Sequence, residues 1–93
     1  MKFVPHGSNV CEIRLEGRTT TILCVSYETP VAAIIKGQCF STDKKWSVTT
    51  SRHINQFRER HGFTESVKHS QSFFDNLLEN LATEAIPAPP RNP

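Results

Sequence analysis

Two apolar runs, Ile22-Leu23-Cys24-Val25 and Ala32-Ala33-Ile34-Ile35, constrain this chain more than anything else in it. A strand with one wet face alternates polar and apolar residues. A short run without alternation predicts a strand covered on both sides. Between the runs, Tyr27-Glu28-Thr29-Pro30 predicts a turn, with Pro30 holding Thr29 extended. Upstream, Val10–Leu15 alternates: Cys11, Ile13 and Leu15 face one way, Glu12 and Arg14 the other, as in a half-buried strand. Glu16-Gly17-Arg18 and Lys36-Gly37 read as tight turns. A fourth strand is expected over residues 38–41, a polar loop at Thr42-Asp43-Lys44-Lys45, and a short fifth strand over residues 46–49. Connections this short favour an antiparallel meander. Residues 1–9, ending in Pro5-His6-Gly7-Ser8-Asn9, read as an N-terminal arm.

Near position 50 the period changes from two to that of a helix. Ile54, Phe57 and His61 form one stripe, predicting a helix over about 51–61. Thr49, Thr50 and Ser51 are capping residue types, and Gly62 suits the stop, with Phe63 folding back on it. Residues 64–69 read as a link. A second helix is expected over about 71–85, opening near Ser70 or Ser72 with Ser72 and Asp75 spaced as a capping box. It carries Phe73, Phe74, Leu77, Leu78 and Leu81 on a wide apolar face. Residues 86–93 read as an extended Pro-rich tail.

The expected fold is therefore α+β: a single small domain over 10–85, with an antiparallel β-meander of about five short strands (sheet 10–49) and then two C-terminal helices. Two layers leave one sheet face bare, although two of the strands look apolar on both faces. The reading that resolves this is a sheet curled towards a partial barrel, with a modest interface to a second copy of the chain.

With 93 residues the chain has a narrow margin of stability. Its formal net charge of +2 is too small to argue for nucleic acid by itself. The charge is unevenly placed, with nine Lys/Arg against five Asp/Glu in residues 1–63 and an acidic remainder. Three widely spaced cysteines, Cys11, Cys24 and Cys39, make no disulfide framework and no thiolate zinc motif. They point to a reducing, cytoplasmic setting. No apolar stretch approaches the roughly 20 residues that span a membrane.

The residues that could carry function gather around the change of period. Lys44, Lys45, Trp46, Thr49, Thr50, Ser51, Arg52 and His53 bring together hydroxyls, fixed positive charge, an imidazole and an aromatic ring. A helix N-terminus there would favour an acidic or phosphate-bearing partner. No catalytic residue, metal ligand set or cofactor motif is assigned. His53 and His61 are separated by roughly 12 Å of helical rise, too far to share one metal ion. No nucleophile elbow or glycine loop accompanies Cys24 or Cys39, and Asp43, the acid between Thr29 and Arg58, sits in a lysine-rich turn. Nucleic acid or a nucleotide is the alternative partner, with Lys44-Lys45-Trp46 gripping a backbone and stacking a base.

Ser26-Tyr27-Glu28-Thr29-Pro30-Val31-Ala32, then Gly37, Phe40 and Thr42, then Trp46-Ser47-Val48-Thr49-Thr50-Ser51-Arg52-His53-Ile54, resembles small uncharacterised proteins of bacteriophages and plasmids. The resemblance implies a mobile-element origin and an accessory role in the cytoplasm of a bacterial host. Small phage accessory proteins often act by binding and blocking a host protein, for example one of defence or replication. It carries over no functional residues.

Overall fold

The computed structural model describes residues 2–7, 9–15 and 20–85, with side chains through residue 79. Within these, strand follows strand in chain order: β1 (Lys2–Gly7), β2 (Val10–Leu15), β3 (Thr21–Ser26), β4 (Thr29–Ile35) and β5 (Gln38–Thr42) are consecutive antiparallel neighbours. The Lys36-Gly37 turn has φ of 52° and 76°, so both residues are left-handed, the conformation a two-residue hairpin needs. From β5 the chain enters α1 (Val48–Arg60) and returns as β6 (Val67–His69), which pairs parallel to β5. A parallel partner requires a crossover of this kind, and α1 is that crossover. The last element is α2 (Gln71–Ala85).

The fold is α+β, as the period change predicts, but the sheet is open and both faces are covered within one chain. Residues that alternate along the strands divide into two cores. One comprises Val10, Cys24, Val31, Ala32, Ile34 and Cys39 with Phe57 of α1, flanked by Ile22, Ile54 and Phe63. The other comprises Ile13, Leu23 and Ala33 with Phe74 of α2, flanked by Val25, Ile35, Phe40, Phe73, Leu77 and Leu78. Adjacent residues Cys24 and Leu23, like Ala32 and Ala33, belong to opposite cores. The helices therefore lie on opposite faces of the sheet, and the curled sheet is replaced by a helix–sheet–helix sandwich. A second copy of the chain is no longer needed to explain why β3 and β4 are apolar throughout. One register shift assists the packing: Ala32 pairs Cys24 and Pro30 pairs Val25, so Val31 is the extra residue and joins the α1 core.

Four expectations are corrected. Residues 2–7 are a paired edge strand instead of a loose arm; Pro5 is tolerated there because an edge residue can lack a ladder N–H. Residues 46–49 form no strand, because the chain leaves the sheet at Thr42 and α1 begins at Val48. The link over 64–69 contains β6. Ser72 lies inside α2, and Asp75 accepts a hydrogen bond from Gln71 Nε2 (3.1 Å), so Ser72 and Asp75 are not a cap. The stop at Gly62 follows its pattern closely. Gly62 has φ +79°, its N–H donates to Glu59 O (3.0 Å), and Phe63 N–H donates to Arg58 O (2.9 Å). The expected turn at 16–18, the tail at 86–93 and the side chain of Leu81 lie outside the described residues.

Candidate functional site

Strand direction gathers the turn between β3 and β4, the loop after β5 and the N-termini of both helices at one end of the sheet. Ser47 caps α1: it is extended (φ −68°, ψ 165°), and its Oγ accepts from Thr50 N–H at 3.2 Å. Thr49, Thr50 and Ser51 are therefore first-turn residues and not the cap, because the helix begins earlier than its apolar stripe suggests. Thr50 turns inward, 5% exposed, with its hydroxyl 3.1 Å from Ser26 Oγ. His53 Nδ1 lies 2.7 Å from the same Ser26 Oγ, and its ring is 5.9 Å from that of Tyr27. Ser26 is 1% exposed, so this Ser–His pair fastens α1 to β3 and offers no nucleophile to solvent. Burial, and then the Arg52 guanidinium, hold His53 below its ordinary pKa of 6.5.

The outer side of the same end is aromatic and basic. The indole N–H of Trp46 donates to Gln71 Oε1 (3.1 Å), while Gln71 Nε2 donates to Pro30 O (2.7 Å), so the ring is fixed between the loop and α2. Lys44 Nζ sits 4.3 Å from the Trp46 ring centroid. Trp46 (37% exposed), Tyr27 (48%) and Val48 (77%) are three of the large apolar side chains left open to water. Lys45, Ser51 and Arg52 are exposed around them, and neither Lys45 nor Arg52 forms an ion pair among the described residues. Tyr27 also has φ +55°, a left-handed conformation that costs a non-glycine residue roughly 1–2 kcal/mol. An open groove of about 770 Å³ runs beside it, lined by Pro5, Val10, Cys11, Val25 and Thr29 among others. Of the eight residues expected to act together, Lys44, Lys45, Trp46, Ser51 and Arg52 share an open surface. Thr49 and His53 are half-buried, and Thr50 is internal.

A second cluster lies at the opposite end of α1, and the sequence reading missed it. Glu12 is fully buried. Its Oε1 accepts from Arg14 Nε (3.3 Å) and Nη2 (3.1 Å) and lies 3.0 Å from His61 Nε2. Its Oε2 accepts from Arg60 Nε at 2.7 Å and lies 2.7 Å from Arg60 Nη2. His6 Nε2 is 2.8 Å from Oε2 but is out of line for a hydrogen bond, which leaves that buried nitrogen without a partner. Burial pushes the Glu12 carboxyl up, but hydrogen bonds from Arg60, His61 and Arg14 together outweigh it and hold the group below 4.5. His6 is held below 6.5 by burial, against the pull of Glu12 and with the push of both arginines. Alternation puts Glu12 and Arg14 on one face of β2, but nothing local shows that this face is covered. Arg60 arrives from 48 residues away.

The thiols are poor nucleophiles. Burial pushes Cys24 up to about 12 and raises Cys11 and Cys39 as well. His6, Glu12 and His61 are metal-ligand types, but two guanidiniums occupy the carboxylate, and no group among the described residues could hold a metal ion. No helix of the described residues is long and apolar enough to cross a membrane.

A family model matches residues 1–76, which include the whole sheet, α1 and both clusters; it describes a family of unknown function, DUF8033. No curated protein matches the chain, and no solved structure matches it.

Proposed function

We propose that this chain, which belongs to the DUF8033 family, is a non-enzymatic binding module of the phage accessory type, whose partner is a host protein with an acidic contact surface. One observation carries the reading: Trp46, Tyr27 and Val48 stand exposed beside Lys44, Lys45 and Arg52 at one corner of the molecule. Exposed aromatics interleaved with Arg are the composition of a protein-binding hot spot, and Glu28, Asp43 and Asp75 lie exposed around this one among the basic residues. Lys44 lies over the Trp46 ring and the indole N–H is committed to Gln71, which leaves the ring less suited to stacking a base. Inhibition of a defence or replication protein is the mode of action that fits a partner-blocking surface without catalytic groups.

Nucleic acid or a nucleotide is the second reading. Its support is that β5 and β6 are parallel and lead into helices on opposite faces, so both helix N-termini flank their carboxyl ends and offer free N–H groups to a phosphate.

The test is capture from bacterial lysate on immobilised wild type and Arg52→Glu, each with and without nuclease, after circular dichroism confirms that both fold. The expected result is one host protein retained by the wild type in both nuclease arms and lost by the variant. Capture that disappears on nuclease treatment and weakens log-linearly with salt supports the second reading. Identical capture by wild type and variant removes the surface from consideration.

A further inference from the structure

We propose that the Glu12 cluster at the C-terminal end of α1 is a phosphate-binding site, taking free phosphate or the phosphate of a nucleotide. Charge is the first argument. One carboxylate faces two guanidiniums, Arg14 and Arg60, so fixed positive charge exceeds negative before either histidine takes a proton. Lys2 lies in register with Arg14 on β1 and adds an exposed ammonium at the rim. One cation would have neutralised Glu12, and the C-terminal end of α1 balances about half a charge more, so a positive surplus remains before Lys2 is counted.

Donor capacity is the second. A guanidinium has five N–H groups, and Glu12 engages only the Nε and Nη2 of each arginine. The remaining donors belong to side chains that are 31% and 30% exposed, so they reach solvent while the carboxylate behind them does not. The third is His6, whose ring is one-fifth exposed beside the arginines and whose Nε2 lies 2.8 Å from Glu12 Oε2 without forming a hydrogen bond.

Glu12 acts here as a positioning residue. It fixes both forks from behind, so an incoming oxyanion meets ordered donors and little side-chain entropy is lost on binding. A tetrahedral dianion matches two forks and the excess charge better than a carboxylate does. The same guanidiniums repel a cation, which sets this cluster apart from a His–Glu–His metal site.

This inference is independent of the surface around Trp46, which lies at the other end of α1. It is tested by proton–carbon NMR of the His6 and His61 imidazoles during titration with inorganic phosphate and, separately, with adenosine 5′-monophosphate, at constant pH and ionic strength against chloride. Saturable shifts at both histidines are expected. Removing one charge-assisted contact with Arg14→Gln or Arg60→Gln should weaken binding about tenfold, and Lys68→Gln, exposed on β6 at the far edge of the sheet, should leave it unchanged. If those variants unfold, Lys2→Gln, at an exposed position, should weaken binding about twofold to threefold. Equal affinity for the two ligands identifies phosphate alone as the ligand, and tighter binding of the nucleotide identifies a nucleotide. Absence of saturable shifts with either ligand, or binding that survives every one of these cluster variants unchanged, overturns the proposal.

Discussion

Replacing Glu12 by Gln keeps the side chain's size and removes its charge, which makes it the sharpest perturbation of this fold. In the wild type two arginines and two histidines converge on a carboxylate with no exposed surface. Charge-assisted hydrogen bonds contribute roughly 1.5–3 kcal/mol each, so adding them singly would exceed what one residue can supply in a small domain. A better guide is the cost of removing one partner from a buried ion pair, about 3–5 kcal/mol. Arg14 and Arg60 are 31% and 30% exposed and recover part of their solvation when the charge is lost, and the Gln carbonyl still accepts one bond. The lower end applies, about 3 kcal/mol. At about 4–8 °C per kcal/mol for a domain of this size, the melting temperature should fall by roughly 12–24 °C.

The assay is urea and thermal unfolding at pH 7.5, repeated towards pH 3. Glu12 has its folded pKa below 4.5, so its contribution is complete above 4.5 and is lost as pH falls through the folded value. The gap between wild type and Glu12→Gln should therefore close in acid. A variant as stable as the wild type at pH 7.5, or a gap that does not change with pH, would refute the claim that this carboxylate ties β1, β2 and α1 together.

Three further outcomes are expected. Ser47→Ala should cost about 1 kcal/mol by urea unfolding, while Ser51→Ala should stay within about 0.5 kcal/mol, and the reverse order would return the cap to the Thr49–Ser51 run. Phe74→Ala should cost about 3–5 kcal/mol because Phe74 is fully buried against the second sheet face; a loss below about 1 kcal/mol would mean that α2 does not cover that face. His6 and His53 both have lowered pKa values, so the unfolded chain takes up protons first. Stability should be full above pH 6.5 and decline as pH falls through 6.5 towards the folded values, and stability that rises over that interval in urea melts would contradict the burial of these rings.

Much of the architecture is written locally. Lys36-Gly37 demands a tight reversal, Gly62 followed by Phe63 demands a helix stop, and each was legible because turn and cap chemistry acts over a few residues. The unbroken apolar runs of β3 and β4 announced strands covered on both faces. They could not say by what, since a second helix, a curled sheet and a second chain all satisfy the same pattern. The surface around Trp46 was found by composition, but its membership was decided by where α1 starts: beginning the helix at Val48 turns Thr50 inward and leaves Ser51 and Arg52 outside.

Glu12 marks the limit. Alternation assigns it a face, and a charged residue on a strand is ordinarily read as wet. Only the fold brings Arg60 and His61 across that face and seals the carboxylate beneath them. Residue type and period thus determined which elements form and where they end, because those preferences are energies between near neighbours along the chain. The covering of each face, the parallel pairing of β6 and the meeting of five ionisable groups depended on contacts between distant segments, whose energies exist only once the chain has folded.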